Sequence, residues 1–349
     1  MNRINILFVS NLNPYFRGYQ RLQSLCDLGY DVDAISYILQ DNQNLKSRLK
    51  LFFGKVCNKI LWPLDTNKIN FKIKEKVLKK RFDIIWIEKG NIIKPSTLKF
   101  IKNKSSESKI ISCSEDDMYA LHNHSFYYRM GLCYYDYVFT TKTYNLTELK
   151  RFGARKVILF KDAYDRELHS PRKLSAEERE RYGSDVGFIG TFEKHRAKQM
   201  LYLADNGIRV EVYGNGWDKW KSKHHNLIIH RKAIYGEEYV KVINATKINL
   251  CFLRKINRDK TTSRSIEIPA CGGFMLAERT ERHKKLFEEG REAEFFNTKE
   301  ELLKKVKYYL TNKKLRKSIS EAGRKRCVAG RYSHHDILSE IIKVICHIK

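Results

Sequence analysis

The most chemically suggestive stretch of this 349-residue sequence is TTSRSIEIPACGGFMLAE, from Thr261 to Glu278. Arg264 offers a forked cation that can pair with two phosphate oxygens at once. Glu267, acceptor-only when ionised, can take hydrogen bonds from two neighbouring hydroxyls such as those of a ribose. Gly272 and Gly273 carry no Cβ, so backbone N–H groups there can approach a diphosphate closely. A capped helix followed by a turn and a strand gives the same spacing with no ligand, so the stretch gains weight only from its company. DVGFIGTFEKHR supplies some: a strand ending at Gly190, then Thr191, then Lys194 and Arg196. Cations one turn beyond a strand-to-helix junction suit a pyrophosphate, and the helix N-terminus adds to the attraction. VYGNGW sets Gly214, Gly216 and Trp217 at the end of the next strand, a pattern that alone is more often a plain turn.

The first half holds fewer such groups. Asp116 and Asp117, in Ser114-Glu115-Asp116-Asp117, follow an apolar run and are candidate catalytic carboxylates for acid–base work. Paired carboxylates there are equally a helix N-cap favoured by the dipole. His122 and His124 have no spacing partner and read as structural, whereas Arg17 and Gly18 fall in the loop after the first strand. The eight cysteines form no CxxC pair and no histidine cluster has ligand spacing, so no metal site is expected.

Elements must position these groups. Ile4 to Val9, Asp31 to Ser36, Asp83 to Ile87, Lys109 to Cys113, Tyr137 to Thr141 and Val157 to Phe160 read as short buried strands. A helix from Tyr19 to Leu28, closed by Gly29, makes the opening a βαβ unit. The charged stretch Asp165 to Ser184 reads as a linker. A second strand series follows at 185–190, 208–213, 248–253, 274–277 and 293–296, with helices over 299–310, 312–327 and 335–347. The expected organisation is an α/β chain: a Rossmann-like domain over 1–165, a second Rossmann-like domain over 166–330, and a helix over 331–349 packing back on the first domain.

FIGTFEKHR, VYGNGW, SRSIEIPACGGFMLAE and the tail EAEFFNTKEELLKKVKYYLTNKKLRKSISEAGRKR, in that order, resemble the glycosyltransferase domain of CgeB-like proteins, over roughly residues 184 to 345. DIIWIEKG, SEDD, YDYVFTTK and FGARKV are similar, less sharply, to the companion domain. The resemblance implies a GT-B fold, two Rossmann-like doubly wound domains facing across a cleft, related to retaining enzymes with an E-x7-E motif. It implies that Glu267 holds the donor ribose and that Arg196 binds the diphosphate. It places Gly214 and Trp217 beside the nucleotide base, with Gly190, Thr191, Gly272 and Gly273 around the phosphates. Asp259 stands where retaining relatives carry their first Glu, and Thr191 where the family has an Arg, a charge that Arg264 can replace. A UDP-sugar or other nucleotide-sugar donor, no obligatory cofactor and no obligatory metal follow from the same resemblance.

The formal charge is +28, which favours anionic partners or reflects a Lys-rich composition. Leu45, Leu49, Phe52, Val56 and Ile60 fall on one helical face with lysines beside it, the pattern of a helix on an anionic membrane or of an ordinary helix on its sheet. With no leader segment and no apolar run of transmembrane length, the expected location is cytoplasmic, with peripheral membrane attachment as an option. Three function classes stay open. The first is a transferase acting on a surface polysaccharide, lipid-linked glycan or glycoprotein; the second acts on nucleic acid such as modified DNA. The third is a non-catalytic nucleotide-sugar-binding protein.

Overall fold

The computed structural model describes residues 3–38 and 61–346. The stretch Leu45 to Ile60, read above as a basic amphipathic helix, lies outside the described residues. The chain divides into two compact units, one of residues 1–161 with 334–349 and one of residues 162–333.

The first unit is built on six parallel strands: β1 (Asn5–Ser10), β2 (Asp31–Ser36), β3 (Ile84–Glu88), β4 (Lys109–Ser114), β5 (Tyr137–Thr140) and β6 (Val157–Leu159). Their order is β2-β1-β3-β4-β5-β6. Ile6 to Val9 and Ile84 to Ile87 are all fully buried, because helices cover both faces of a central parallel strand. That double burial is why these strands read as unbroken apolar runs instead of alternating ones. The helix Arg17–Asp27 follows β1, and the C-terminal helix His334–Cys346 packs beside it. Ile337, Leu338, Ile341, Ile342 and Ile345 form the buried stripe of that last helix, and His335 Nε2 lies 3.0 Å from Asp27 Oδ2.

The second unit has β7 (Ser184–Ile189), β8 (Val210–Tyr213), β9 (Leu227–Ile229), β10 (Thr246–Cys251), β11 (Met275–Glu278) and β12 (Glu294–Phe296). The order β12-β11-β10-β7-β8-β9 is the doubly wound Rossmann arrangement, reversing direction between β7 and β10. Such a reversal leaves a crevice at the carboxyl ends of the two strands, where the helices that follow them diverge to opposite faces. β9 was not expected from the sequence, since three residues after a Lys- and His-rich loop give too short an apolar run to read. The charged stretch taken as linker contains the helix Ala176–Tyr182, started by a Ser175/Glu178 capping box.

Candidate active site

In the second unit the chain leaves β7 at Gly190 and enters the helix Lys194–Asp205, whose first turn carries Arg196. Arg196 is fully buried. Its Nη1 donates to Thr191 O (3.0 Å) and its Nη2 to Phe252 O (3.5 Å), while Nε has no partner. The Glu193 carboxylate is 3.8 Å away and is shared with Arg254, whose Nε approaches it to 3.2 Å. Burial, and then the like charge of Arg264, push the Arg196 guanidinium down to about 10. The side chain remains a cation at neutral pH in surroundings that disfavour one. An anion entering this crevice relieves that imbalance.

Arg264 and Glu267 lie on one short helix, Arg264–Ala270, which begins at the carboxyl edge after β10. The Arg264 Nε is buried without a partner. Glu267 is buried and accepts a hydrogen bond from the Tyr239 hydroxyl (2.7 Å). Burial and the Glu267 charge raise the Tyr239 hydroxyl well above its ordinary value, with Arg264 opposing them. Tyr239 therefore stays protonated and aims one carboxylate oxygen. Arg264 is thus an electrostatic neighbour of both Arg196 and the Tyr239–Glu267 pair. Tyr239, from the helix Gly236–Ala245, was missed by sequence reasoning; a lone Tyr on an apolar helical face carries no signal.

The VYGNGW loop closes over the same turn. Gly214 has φ +151°, and a Cβ there would stand 2.0 Å from Gly190 O. The Trp217 indole donates to that same carbonyl (2.9 Å) and packs against Phe188 and Phe192. Trp217, expected beside a base, is fully buried and holds the Gly190 turn through that hydrogen bond. Gly272 and Gly273 follow the helix Arg264–Ala270. The Gly272 and Gly273 N–H groups donate to Pro269 O (2.8 Å) and Ile268 O (3.0 Å), closing the helix, and are not offered to a phosphate. Gly273 is needed for packing, because a Cβ would meet Ile243 at 2.6 Å. Asp259 is buried in the loop between β10 and that helix, its N–H bonded to Arg254 O at 3.1 Å.

In the first unit, Asp117 is fully buried. Its Oδ1 accepts from Asn145 Nδ2 (2.9 Å) and from the Tyr119 N–H (3.2 Å), so it organises the loop after β4. Asp116 is paired with Lys89 at 2.8 Å. Sequence reasoning missed the network beside them, where buried Arg21 bridges Glu88 and Glu115. Arg17 joins Glu115 at 2.7 Å, and the Trp86 indole donates to Glu88 at 2.9 Å. Burial pushes Glu115 up, but Arg17 and Arg21 outweigh it and hold the carboxyl below its ordinary range. At Glu88 burial wins and the carboxyl is raised. The only signal available was an acidic residue at the end of each apolar run. An open cavity of about 1030 Å³ lies in this unit, with Tyr37, Leu64, Lys89, Leu121 and His122 among its walls. Among the described residues no group of three or more His, Cys, Asp or Glu side chains is placed to hold a metal ion. No helix among them is long and apolar enough to cross a membrane.

Comparison with known proteins places this geometry. Residues 195–343 match the family model described as glycosyl transferase-like. No curated protein matches the chain. Among solved structures, the Anabaena protein HepE, determined with UDP and glucose, superposes with a TM-score of 0.66 at 12% identity, over 99% of this chain and 100% of that one. A glycosyltransferase from Rickettsia africae gives 0.63 at 14% identity over 100% of both chains. An alpha-glucosyltransferase bound to UDP and a 13-mer DNA gives 0.64 at 11% identity, over 99% of this chain and 100% of that one. At such identities the likeness is one of fold, and that fold is GT-B.

Proposed function

We propose that this chain is a glycosyltransferase whose second unit holds a nucleotide-sugar, a UDP-sugar in the first instance, and transfers the sugar to an acceptor hydroxyl. The observation that carries the reading is Arg196, a buried cation beside a second cation, Arg264, at the reversal point of a doubly wound sheet. That is a charge arrangement built for an anion. In this reading Arg196, Arg264 and the Thr191 turn hold the diphosphate, and Glu267, aimed by Tyr239, takes the ribose hydroxyls. Gly214 and Trp217 shape the turn on which the base rests, Gly272 and Gly273 set the far end of the Glu267 helix, and Asp259 reaches the sugar. The motifs quoted above support a CgeB-like member acting with retention and without an obligatory metal.

The chemistry asked of these residues is simple. The bond between the anomeric carbon and the diphosphate oxygen breaks, a bond from the acceptor oxygen forms, and the acceptor proton is lost. Negative charge grows on the departing diphosphate, and fixed guanidiniums stabilise it without reorganising. Asp116, whose partner Lys89 lines the first unit's cavity, is the candidate to orient the acceptor hydroxyl. Asp117, committed to Asn145, supports its loop. A glycan, lipid-linked or protein-linked acceptor is the first choice. DNA is a second reading, favoured by the +28 charge and by the DNA-bound structure with the same fold. It requires a steep fall of duplex binding with salt.

The test is ligand-induced stabilisation. UDP and UDP-glucose at about 100 times Kd should stabilise the protein by roughly 2.7 kcal/mol. Glu267→Ala and Arg264→Ala should each remove most of that gain. Equal melting with and without either nucleotide, in wild type and variants alike, would exclude the donor site.

A further inference from the structure

The helix Glu281–Leu286 touches the donor segment twice. The Thr280 hydroxyl, just before it, donates to Lys260 O (2.7 Å) and accepts the His283 N–H (3.0 Å). One turn on, His283 is fully buried, with Nδ1 2.7 Å from Glu278 O and Nε2 2.7 Å from Ser265 Oγ. A carbonyl only accepts, so Nδ1 carries the ring proton and Nε2 carries the lone pair. Ser265 must then donate its hydroxyl proton to Nε2, and its oxygen accepts the Thr262 N–H at 3.0 Å. With the ring neutral, the protons from Glu278 to Thr262 run in one sense, and the Cys251 thiol, 3.7 Å from the Ser265 oxygen, is left to donate to it. The ring also lies nearly parallel to Phe295, with 11° between the planes, which fixes its orientation. Ser265 is itself fully buried and sits between Arg264 and Glu267.

We propose that Thr280 and His283 are positioning residues for the donor site: they pin the segment at Lys260 and at Ser265, so that Arg264 and Glu267 stand preorganised before ligand arrives. The proposal rests on the donor-site reading. Only the neutral Nδ1–H ring can hold Ser265 in this sense, and burial keeps it neutral by lowering His283 to about 4. Losing the pin frees the first turn of the helix and with it the two side chains whose placement decides binding.

Ser265→Ala removes the relay while leaving the imidazole in place, and His283→Leu removes both of its bonds. Titration calorimetry with UDP should show each variant binding about 10-fold or more weakly, equivalent to roughly 1.4 kcal/mol. His283→Gln, which offers an acceptor near the Nε2 position, should recover part of the affinity. Ile319→Ala, a core change on the helix Lys313–Ala329, serves as the control for destabilisation alone and should bind UDP like wild type. Nitrogen NMR of wild type should find Nδ1 protonated and Nε2 bare at neutral pH, a readout independent of folding variants. Wild-type-like UDP affinity in Ser265→Ala, or a ring protonated at Nε2, overturns the proposal while leaving the donor site standing. Failure of the wild-type protein to bind UDP or UDP-glucose overturns both.

Discussion

In the proposed donor site, Arg196 is the residue where stability and ligand binding pull apart. Arg196 is a buried charge whose ion-pair partner, Glu193 at 3.8 Å, is shared with Arg254, so removing it costs the free protein little: its desolvation is removed with it. Two backbone acceptors, Thr191 O and Phe252 O, lose a donor in exchange. Arg196→Met is therefore expected to change the stability of the ligand-free protein by less than about 1 kcal/mol. The same variant should lose its melting response to UDP, and a large destabilisation with UDP binding intact would reverse this assignment. Tyr239→Phe is milder, since it keeps the packing and removes one hydrogen bond to Glu267. UDP affinity should fall about 3- to 10-fold, roughly 0.7–1.4 kcal/mol, less than the ~1.5–3 kcal/mol of a direct hydrogen bond to a charged group because the bond acts only by aiming Glu267. An unchanged dissociation constant would show that Glu267 is not aimed by Tyr239.

At the scale of elements, the site depends on turns locked from behind. The Gly190 carbonyl is approached from one side by Gly214 and from another by the Trp217 indole. Gly214→Ala sets a Cβ against that carbonyl at a φ that side chains rarely adopt, and should cost about 2 kcal/mol or more. Chemical denaturation measures the loss directly. His283 sets a pH dependence in the short helix that follows β11. Its ordinary value is about 6.5 in an unfolded chain, and burial lowers it to about 4 in the fold. Between those values the unfolded state binds the extra proton, so stability rises with pH across the window and drains away as pH falls from 6.5 toward 4. The histidine's share is up to about 3 kcal/mol. The difference in unfolding free energy between wild type and His283→Gln should narrow over that interval; a constant difference would place the histidine in a different protonation state.

Across the whole molecule, the chain builds one sheet, crosses to build a second, and sends its last helix back to the first. Five buried aliphatic side chains on the helix His334–Cys346 cover the helix Arg17–Asp27 and its surroundings. Ending the chain after Ser333 should destabilise the first unit by several kcal/mol, at ~1.5–3 kcal/mol for each buried side chain as an upper bound. UDP binding by the second unit should survive that truncation at low temperature. Its loss, with the first unit unfolded, would mean that the second unit's site does not stand alone. The charge of +28 also belongs to this scale, and a comparison of acidic vesicles with duplex DNA over a salt series separates its two candidate partners.

The strands were readable because burial on both faces demands continuous apolar runs, as in ILFV of β1 and IIWI of β3. Arg196, Arg264 and Glu267 stand out in the sequence because few side-chain types suit a diphosphate or a ribose, and the fold buries Arg196 and Glu267 in the second unit. Residue types cannot report the direction in which a helix runs over a sheet. Folding turned the Gly272 and Gly273 N–H groups back onto their own helix, and it brought Tyr239 to Glu267. Nor do they report which face of a loop is solvent, which sent Trp217 into the core and left Arg21 between Glu88 and Glu115. Identity and order along the chain sufficed for the architecture and the charged centre. The hydrogen-bonded surroundings come from residues far apart in sequence, and only folding decides which of them meet.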